Sequence, residues 1–165
     1  MVGLAVMCAA QGCGGPPPVQ DLGDAQSRVL TEPQALLVVE GTLNQAGAQM
    51  ARAWQVSLGG AAPLEVDARV GDPPFGIEWV TDADRAVHGS ALPRSQPGGA
   101  LRIVSARDEA QRVVQILVLD PSLYGYEANP RLVQRGAPGI DEAEERLRRD
   151  LRDFLEYVRG QGGQL

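Results

Sequence analysis

The sequence predicts an all-β fold, an antiparallel jelly-roll-like sandwich carrying one C-terminal α-helix. Three observations predict it. Short runs of alternating or β-branched apolar residues follow one another between Ala35 and Val133, separated by Gly/Pro turns. Helical patterns do not alternate with these runs, which argues against a parallel α/β sheet. One run, Arg112–Asp120 (Arg-Val-Val-Gln-Ile-Leu-Val-Leu-Asp), is apolar on both faces. Val114, Ile116 and Val118 would point one way and Val113, Leu117 and Leu119 mostly the other, as in an internal strand covered on both sides.

Composition limits the rest. The chain has 165 residues, enough for one domain with appendages and a core of its own. Hydrophobic residues make up 44% but aromatics only 4%, so that core must be aliphatic. The formal net charge is -6 and every basic residue is Arg. An acidic chain argues against a nucleic-acid partner, because phosphate binding needs a concentrated basic surface.

The strands follow in order from a body that begins near Arg28–Leu30. Ala35–Leu43 is open to two readings, since Thr31-Glu32-Pro33-Gln34 has the form of a helix capping box. Its paired Val residues, Gly41 and Thr42 favour a strand. Ala51–Leu58 places Trp54, Val56 and Leu58 on one face. Leu64–Val70 alternates most cleanly, with Leu64, Val66, Ala68 and Val70 inward and Glu65, Asp67 and Arg69 towards water. Gly71-Asp72-Pro73-Pro74 is a turn. Phe75–Thr81 turns Phe75, Ile77 and Trp79 inward and Glu78 outward. Arg85–Ala100, rich in Gly, Pro and Ser, is expected to be a loop. Leu101–Ala106 and Arg112–Leu119 make a hairpin across Arg107–Gln111, and Tyr124–Val133 is a last extended segment interrupted by Pro130.

Beyond residue 135 the character changes. Asp141-Glu142-Ala143-Glu144 opens a helix with Asp141 as its N-cap and acidic residues in its first turn, and Gly160 ends it. Leu147, Leu151, Phe154, Leu155 and Val158 form one apolar stripe, which belongs against the sandwich or against a partner helix. Arg146, Arg148, Arg149 and Arg152 interleave with Glu145, Asp150 and Asp153, the pattern of a solvated, self-paired face.

Upstream of the body, Met1–Ala10 is apolar and too short to span a bilayer. It leads into Ala10-Gln11-Gly12-Cys13 and then Gly14-Gly15-Pro16-Pro17-Pro18. This order resembles a bacterial lipoprotein signal peptide. The resemblance implies cleavage after Gly12, lipidation of Cys13 and a lipid-anchored protein in the bacterial cell envelope, facing the periplasm or the exterior. Cys8 and Cys13 are the only cysteines, so the body would carry no thiol or disulfide. The organisation expected is therefore a leader at 1–12, a Gly/Pro-rich tether at 13–27, a sandwich at 28–135, and a helix and tail at 136–165.

Within the body, Val39-Glu40-Gly41-Thr42-Leu43, Trp54-Gln55-Val56 and Leu64-Glu65-Val66 occur in succession. They are followed by Ile77-Glu78-Trp79-Val80-Thr81-Asp82-Ala83-Asp84, by Val114–Leu119 and by Gly125-Tyr126. Taken together, from about Val38 to Tyr126, the order is similar to the pre-peptidase C-terminal domains of secreted bacterial proteins. That resemblance implies a noncatalytic accessory module that assists binding or folding, with no cofactor, and the surface expected to bind a protein or glycan is the Arg85–Ala100 loop or the C-terminal helix.

Few residues announce chemistry. His88 is the only histidine, a candidate binding or catalytic residue in the long loop, and the adjacent Ser90 does not build a triad with it. Tyr124 and Tyr126 flank Gly125 and would offer an aromatic contact surface or close the core as a Tyr corner. Asp82 and Asp84, near Glu78, are candidate oxygen ligands for calcium, the other reading being a charged turn. The second functional class is an exported hydrolase with an acid/base pair among Glu78, Asp82 and Asp84, which requires a cleft that raises one pKa. The address is the most direct to test. Cys13→Ser is expected to abolish metabolic lipid labelling and move the protein out of the membrane fraction; a variant that stays membrane-bound beside an unlabelled wild type would refute it.

Overall fold

The computed structural model describes residues 23–52, 54–60, 62–94 and 100–165. The leader, Cys13 and most of the expected tether lie outside the described residues. The chain folds as a mixed α/β structure in which strands gathered into sheets form the centre and helices cover one side.

β1 (Ser27–Val29) is followed directly by α1 (Glu32–Gln45). The strand expected at Ala35–Leu43 is therefore a helix. The capping box decides it: the Thr31 amide donates to Gln34 Oε1 at 2.9 Å, and Pro33 sits in the first turn. Ala35, Val38, Val39, Thr42 and Leu43 are the buried positions, a helical period that a strand would split between two faces. The β-branched residues cost little helix propensity beside that burial. Gly41 lies on the open side, where an added Cβ would touch nothing within 4 Å.

β2 (Met50–Ala51), β3 (Trp54–Val56), β4 (Leu64–Val66), β5 (Ala68–Val70) and β6 (Phe75–Trp79) come next. They are followed by α2 (Asp82–His88), a 3₁₀ turn at Gly89–Ala91, β7 (Ile103–Arg107) and β8 (Val113–Leu119). The segment expected to be loop from Arg85 thus opens as the second half of a helix. β9 (Gly125–Glu127), the single-turn α3 (Pro130–Val133) and α4 (Ile140–Gly160) complete the chain. In place of one extended Tyr124–Val133 segment, Asn129 accepts from the Arg131 amide and starts α3 with Pro130 in its first turn.

The main sheet runs β2-β5-β6-β8-β7, with β3-β4 and β1-β9 as separate two-stranded units. Its pairs are antiparallel except β6–β8, which is parallel with Ile77 opposite Leu117. The expectation of an all-antiparallel, all-β arrangement holds for most ladders but misses this pair and the helical layer. The exception arises because the α2 excursion carries the chain past the place beside β6, which β8 then fills on returning from β7. Two further bonds join the β3–β4 hairpin to the far edge: Ser57 N to Arg107 O at 2.8 Å and Arg107 N to Ser57 O at 2.9 Å. On the other side β4 runs straight into β5 through a bend at Asp67. The hairpin is thereby tied to the sheet at both ends.

Two cores result, one on each face of the sheet. The larger joins Ala35, Val39 and Leu43 of α1, Leu147, Leu151, Phe154 and Val158 of α4, and Phe75, Ile77, Leu117 and Leu119. The α4 stripe expected from its spacing is buried throughout. Glu142 of α4 caps the helix by accepting from the Gly139 amide at 2.8 Å, so the N-cap is Gly139 rather than Asp141. The smaller core lies under the hairpin and joins Trp54, Val56, Leu64 and Val66 to Val114, Ile116 and Val118. Gly76 lets the layers approach: an added Cβ would stand 3.0 Å from both Ile116 Cγ1 and Val66 Cγ1. No helix among the described residues is long and apolar enough to cross a membrane.

β8 is covered on both faces, with Ile116 0% and Leu117 1% exposed in opposite cores. Truncating either to Ala is expected to cost about 2–5 kcal/mol through lost transfer energy and a residual cavity. Glu65→Ala, at an exposed position of β4, is expected to change stability by less than about 0.5 kcal/mol. Urea melts of the three variants with matched m-values check this.

Candidate functional site

Asp67 is the residue around which the site forms. β5 pairs with β6 through Ala68 opposite Ile77, so one step on, Asp67 faces Glu78. Here the chain turns away to become β4, and backbone groups no longer meet. Carboxylates take over the missing ladder bonds: the Trp79 amide donates to Asp67 Oδ2 at 2.7 Å, and the Asp67 amide donates to Glu78 Oε2 at 3.3 Å. The two carboxyl groups also face one another, close enough to share a hydrogen bond when one of them carries a proton.

This pair lies at a cleft of about 420 Å³, lined by Glu32 and Leu36 of α1, Arg52, Glu65 and Val66 of β4, Asp67, Glu78, Trp79, Thr81 and Asp84. Glu78 is only 2% exposed. Burial, and next the charges of Asp67 and Asp84, push its carboxyl up to about 9. Burial likewise raises Asp67 to about 6, against the opposing pull of the Trp79 amide. At neutral pH Glu78 therefore holds the shared proton. Arg52 is the one basic side chain lining the cleft, and its Nη2 lies 3.1 Å from Glu40 Oε2.

The far wall is the start of α2. Thr81 is its N-cap, and Asp84 closes the box by accepting from the Thr81 amide at 2.8 Å and from its hydroxyl. Arg85 anchors this helix to the sheet: its Nη2 lies 2.8 Å from Asp120 Oδ2, and its Nη1 donates to Leu92 O at 3.3 Å. Asp120 in turn accepts from the Ser122 amide and hydroxyl.

The residues singled out from sequence separate into groups. Glu78, expected on the wet face of its strand, is buried at the cleft because the hairpin covers that face. Asp67, also expected to face water, is its partner. Asp84 lines the cleft but is engaged in the helix cap, while Asp82 is exposed at the first position of α2. The Asp82–Asp84 turn is thus a helix start, and among the described residues no group of three or more His, Cys, Asp or Glu is placed to hold a metal ion. His88 ends α2, partly exposed and outside the cleft lining. Tyr124 is 1% exposed, stacked on Trp79 at 5.4 Å, and donates to Asp150 Oδ2 at 3.0 Å. It locks α4 to the core and offers no external contact; burial and the Asp150 charge raise its hydroxyl pKa far above the ordinary tyrosine range. Tyr126 is half-buried in β9 against the same core.

Two signals for this site were present in the sequence. Thr81-x-x-Asp84 is a capping box, and Glu78 stands inside the apolar run Phe75–Val80. Nothing local marked Asp67. No protein-family model matches the chain, and neither does any curated protein or solved structure. The helical Val39–Leu43 segment also departs from the strand that the pre-peptidase C-terminal resemblance implied.

Asp120→Ala would strand the guanidinium of Arg85 in a buried position. It is expected to cost about 3 kcal/mol of stability, because an uncompensated buried charge is left behind. Urea denaturation of Asp120→Ala beside the double variant Arg85→Leu/Asp120→Ala checks it, the double variant recovering part of the loss.

Proposed function

We propose that this chain is a lipid-anchored, noncatalytic bacterial envelope protein whose acidic cleft docks a basic, partly apolar segment of another protein. The observation that carries the docking reading is the convergence of Glu32, Glu65, Asp67, Glu78 and Asp84 on one cleft lined by a single Arg. Leu36, Val66 and Trp79 give it an apolar lining. Such a surface favours an ammonium or guanidinium group on an aliphatic stem over a neutral sugar or an anion. The anchor is supported by the Ala10–Cys13 pattern, which would hold the cleft at a membrane surface.

A second reading is favoured by the separated titrations of the pair. Glu78 protonated and Asp67 ionised near neutrality are the states of a general acid and a general base, so an exported hydrolase would use these two. Their close approach, each carboxyl bonded to the backbone at or next to the other's position, weighs against glycoside hydrolysis, where the two carboxyl groups stand at least about 5 Å apart. No nucleophile–base pair accompanies them among the cleft-lining residues.

Calorimetric titration with a Lys/Leu-containing peptide and with its Glu/Leu counterpart separates the two readings. Binding is expected for the first peptide only and is expected to weaken with salt. Glu32→Gln and Glu65→Gln should each weaken it by about 2–5-fold, the size of an exposed ion pair. Equal affinity for both peptides, or no response to either substitution, refutes docking in this cleft. Turnover of chromogenic ester or peptide substrates that Glu78→Gln abolishes would establish the second reading instead.

A further inference from the structure

We infer that Asp67 and Glu78 form a proton-operated latch: the proton they share holds the β3–β4 hairpin against the sheet, and its loss lets the hairpin's β4 end lift at the Asp67 bend. This stands on the connectivity and is independent of what the cleft binds.

The hairpin has two attachments of different chemistry. At one end Ser57 and Arg107 exchange two backbone bonds, at 2.8 and 2.9 Å, which do not respond to pH near neutrality. At the other end the polar bonds across the bend run through carboxyl groups: Trp79 N to Asp67 Oδ2, Asp67 N to Glu78 Oε2, and the bond that a proton on Glu78 allows between the two side chains. With the proton present the pair carries one negative charge and all three bonds are made. Without it, two carboxylates face each other in contact, and the bond between them has no hydrogen.

The surroundings do not relieve that repulsion. Glu32 of α1, Glu65 of β4 and Asp84 of α2 face the same cleft and add negative charge. The one cation in the lining, Arg52, lies beside Glu40. Thr81, the remaining polar neighbour, donates to Asp84. The element placed to give way is β4, which is bonded along its length to β3 and not to the main sheet. Lifting it would uncover Leu64 and Val66 above Ile116 and widen the cleft.

The direction of the pH response follows from linkage. The closed state holds a proton on Glu78 up to about pH 9, whereas an opened, hydrated Glu78 releases it near its ordinary value of 4.5. Closure is therefore complete at acid pH and is progressively lost as pH rises towards 9, the opening constant growing about tenfold per pH unit at the limit of full coupling.

Hydrogen exchange on the full chain at pH 7 and pH 9, each amide rate divided by its intrinsic rate, tests the latch. Protection of the Asp67 and Trp79 amides, whose acceptors are the two carboxyl groups, is expected to fall at least tenfold between the two pH values, while Ile116–Val118 of β8 stays protected. Glu78→Gln keeps an acceptor for the Asp67 amide, donates to Asp67 without a titrating proton, and is expected to hold protection constant within about twofold. Asp67→Asn removes the facing charge but leaves the buried Glu78 to titrate, so it is expected to reduce the pH dependence without abolishing it. Unchanged wild-type protection overturns the latch, as does a Glu78→Gln profile that follows the wild type. Equal loss of protection at the bend and in β8 also overturns it, because it would mean global rather than local opening.

Discussion

A strand that leaves its sheet abandons hydrogen bonds, and the fold depends on how this chain replaces them. Between Val66 and Ala68 the backbone passes from the β3–β4 hairpin to the five-stranded sheet, and at that step the β6 ladder loses its partner. A buried amide without an acceptor costs about 1–3 kcal/mol, so a naked bend at this place would be unstable. Asp67 and Glu78 supply the acceptors. They are the only acidic side chains that each bond the backbone of the other's strand at the crossing.

The consequence extends to both cores. With β4 tied to β6 at the bend and β3 tied to β7 through Ser57 and Arg107, the hairpin becomes a lid over one face of the sheet. That lid makes β8 a doubly covered strand, with Ile116 under the hairpin and Leu117 under the helices. It also removes the free edge that β7 would otherwise present at Arg107, the usual liability of a terminal strand. Gly76 is the residue that permits the fit, since a side chain there would press on Ile116 and Val66 together.

What was legible in the sequence follows the same physics. The β8 run and the α4 stripe were legible because their periodicity is unbroken and long enough to define faces. The β7–β8 hairpin was legible from two apolar runs around a polar turn; in the structure the buried Asp108 closes that turn by accepting from the Arg112 amide and side chain. α1 was misjudged because paired valines were weighed above a capping box whose Gln34 does bond the Thr31 amide. The site was harder to find for a different reason. Alternation assigns faces within one sheet, and Leu64–Val70 belongs to two. At the bend the rule that sent Asp67 to water stopped applying, and the lid turned the outer face of β6 into an interior.

Burial without a cation is what makes the crossing chemically unusual. A carboxylate buried beside an Arg has its charge compensated by a partner, as Asp120 has in Arg85 at 2.8 Å in the same molecule. At the bend the near charges are acidic apart from Arg52, which lies beside Glu40, so a proton on Glu78 takes the place of a cation between the two buried carboxyl groups. The Coulomb penalty for removing it grows with each acidic wall residue that also makes the cleft attractive to a cation. Ligand preference and proton affinity thus come from one set of charges and cannot be tuned apart: a cationic group entering the cleft stabilises the ionised pair and favours release of the same proton that high pH removes. Docking a basic segment and releasing the proton are, on this electrostatic argument, linked equilibria, each strengthening the other by equal free energy, and the docked cation relieves the repulsion that would otherwise lift the hairpin.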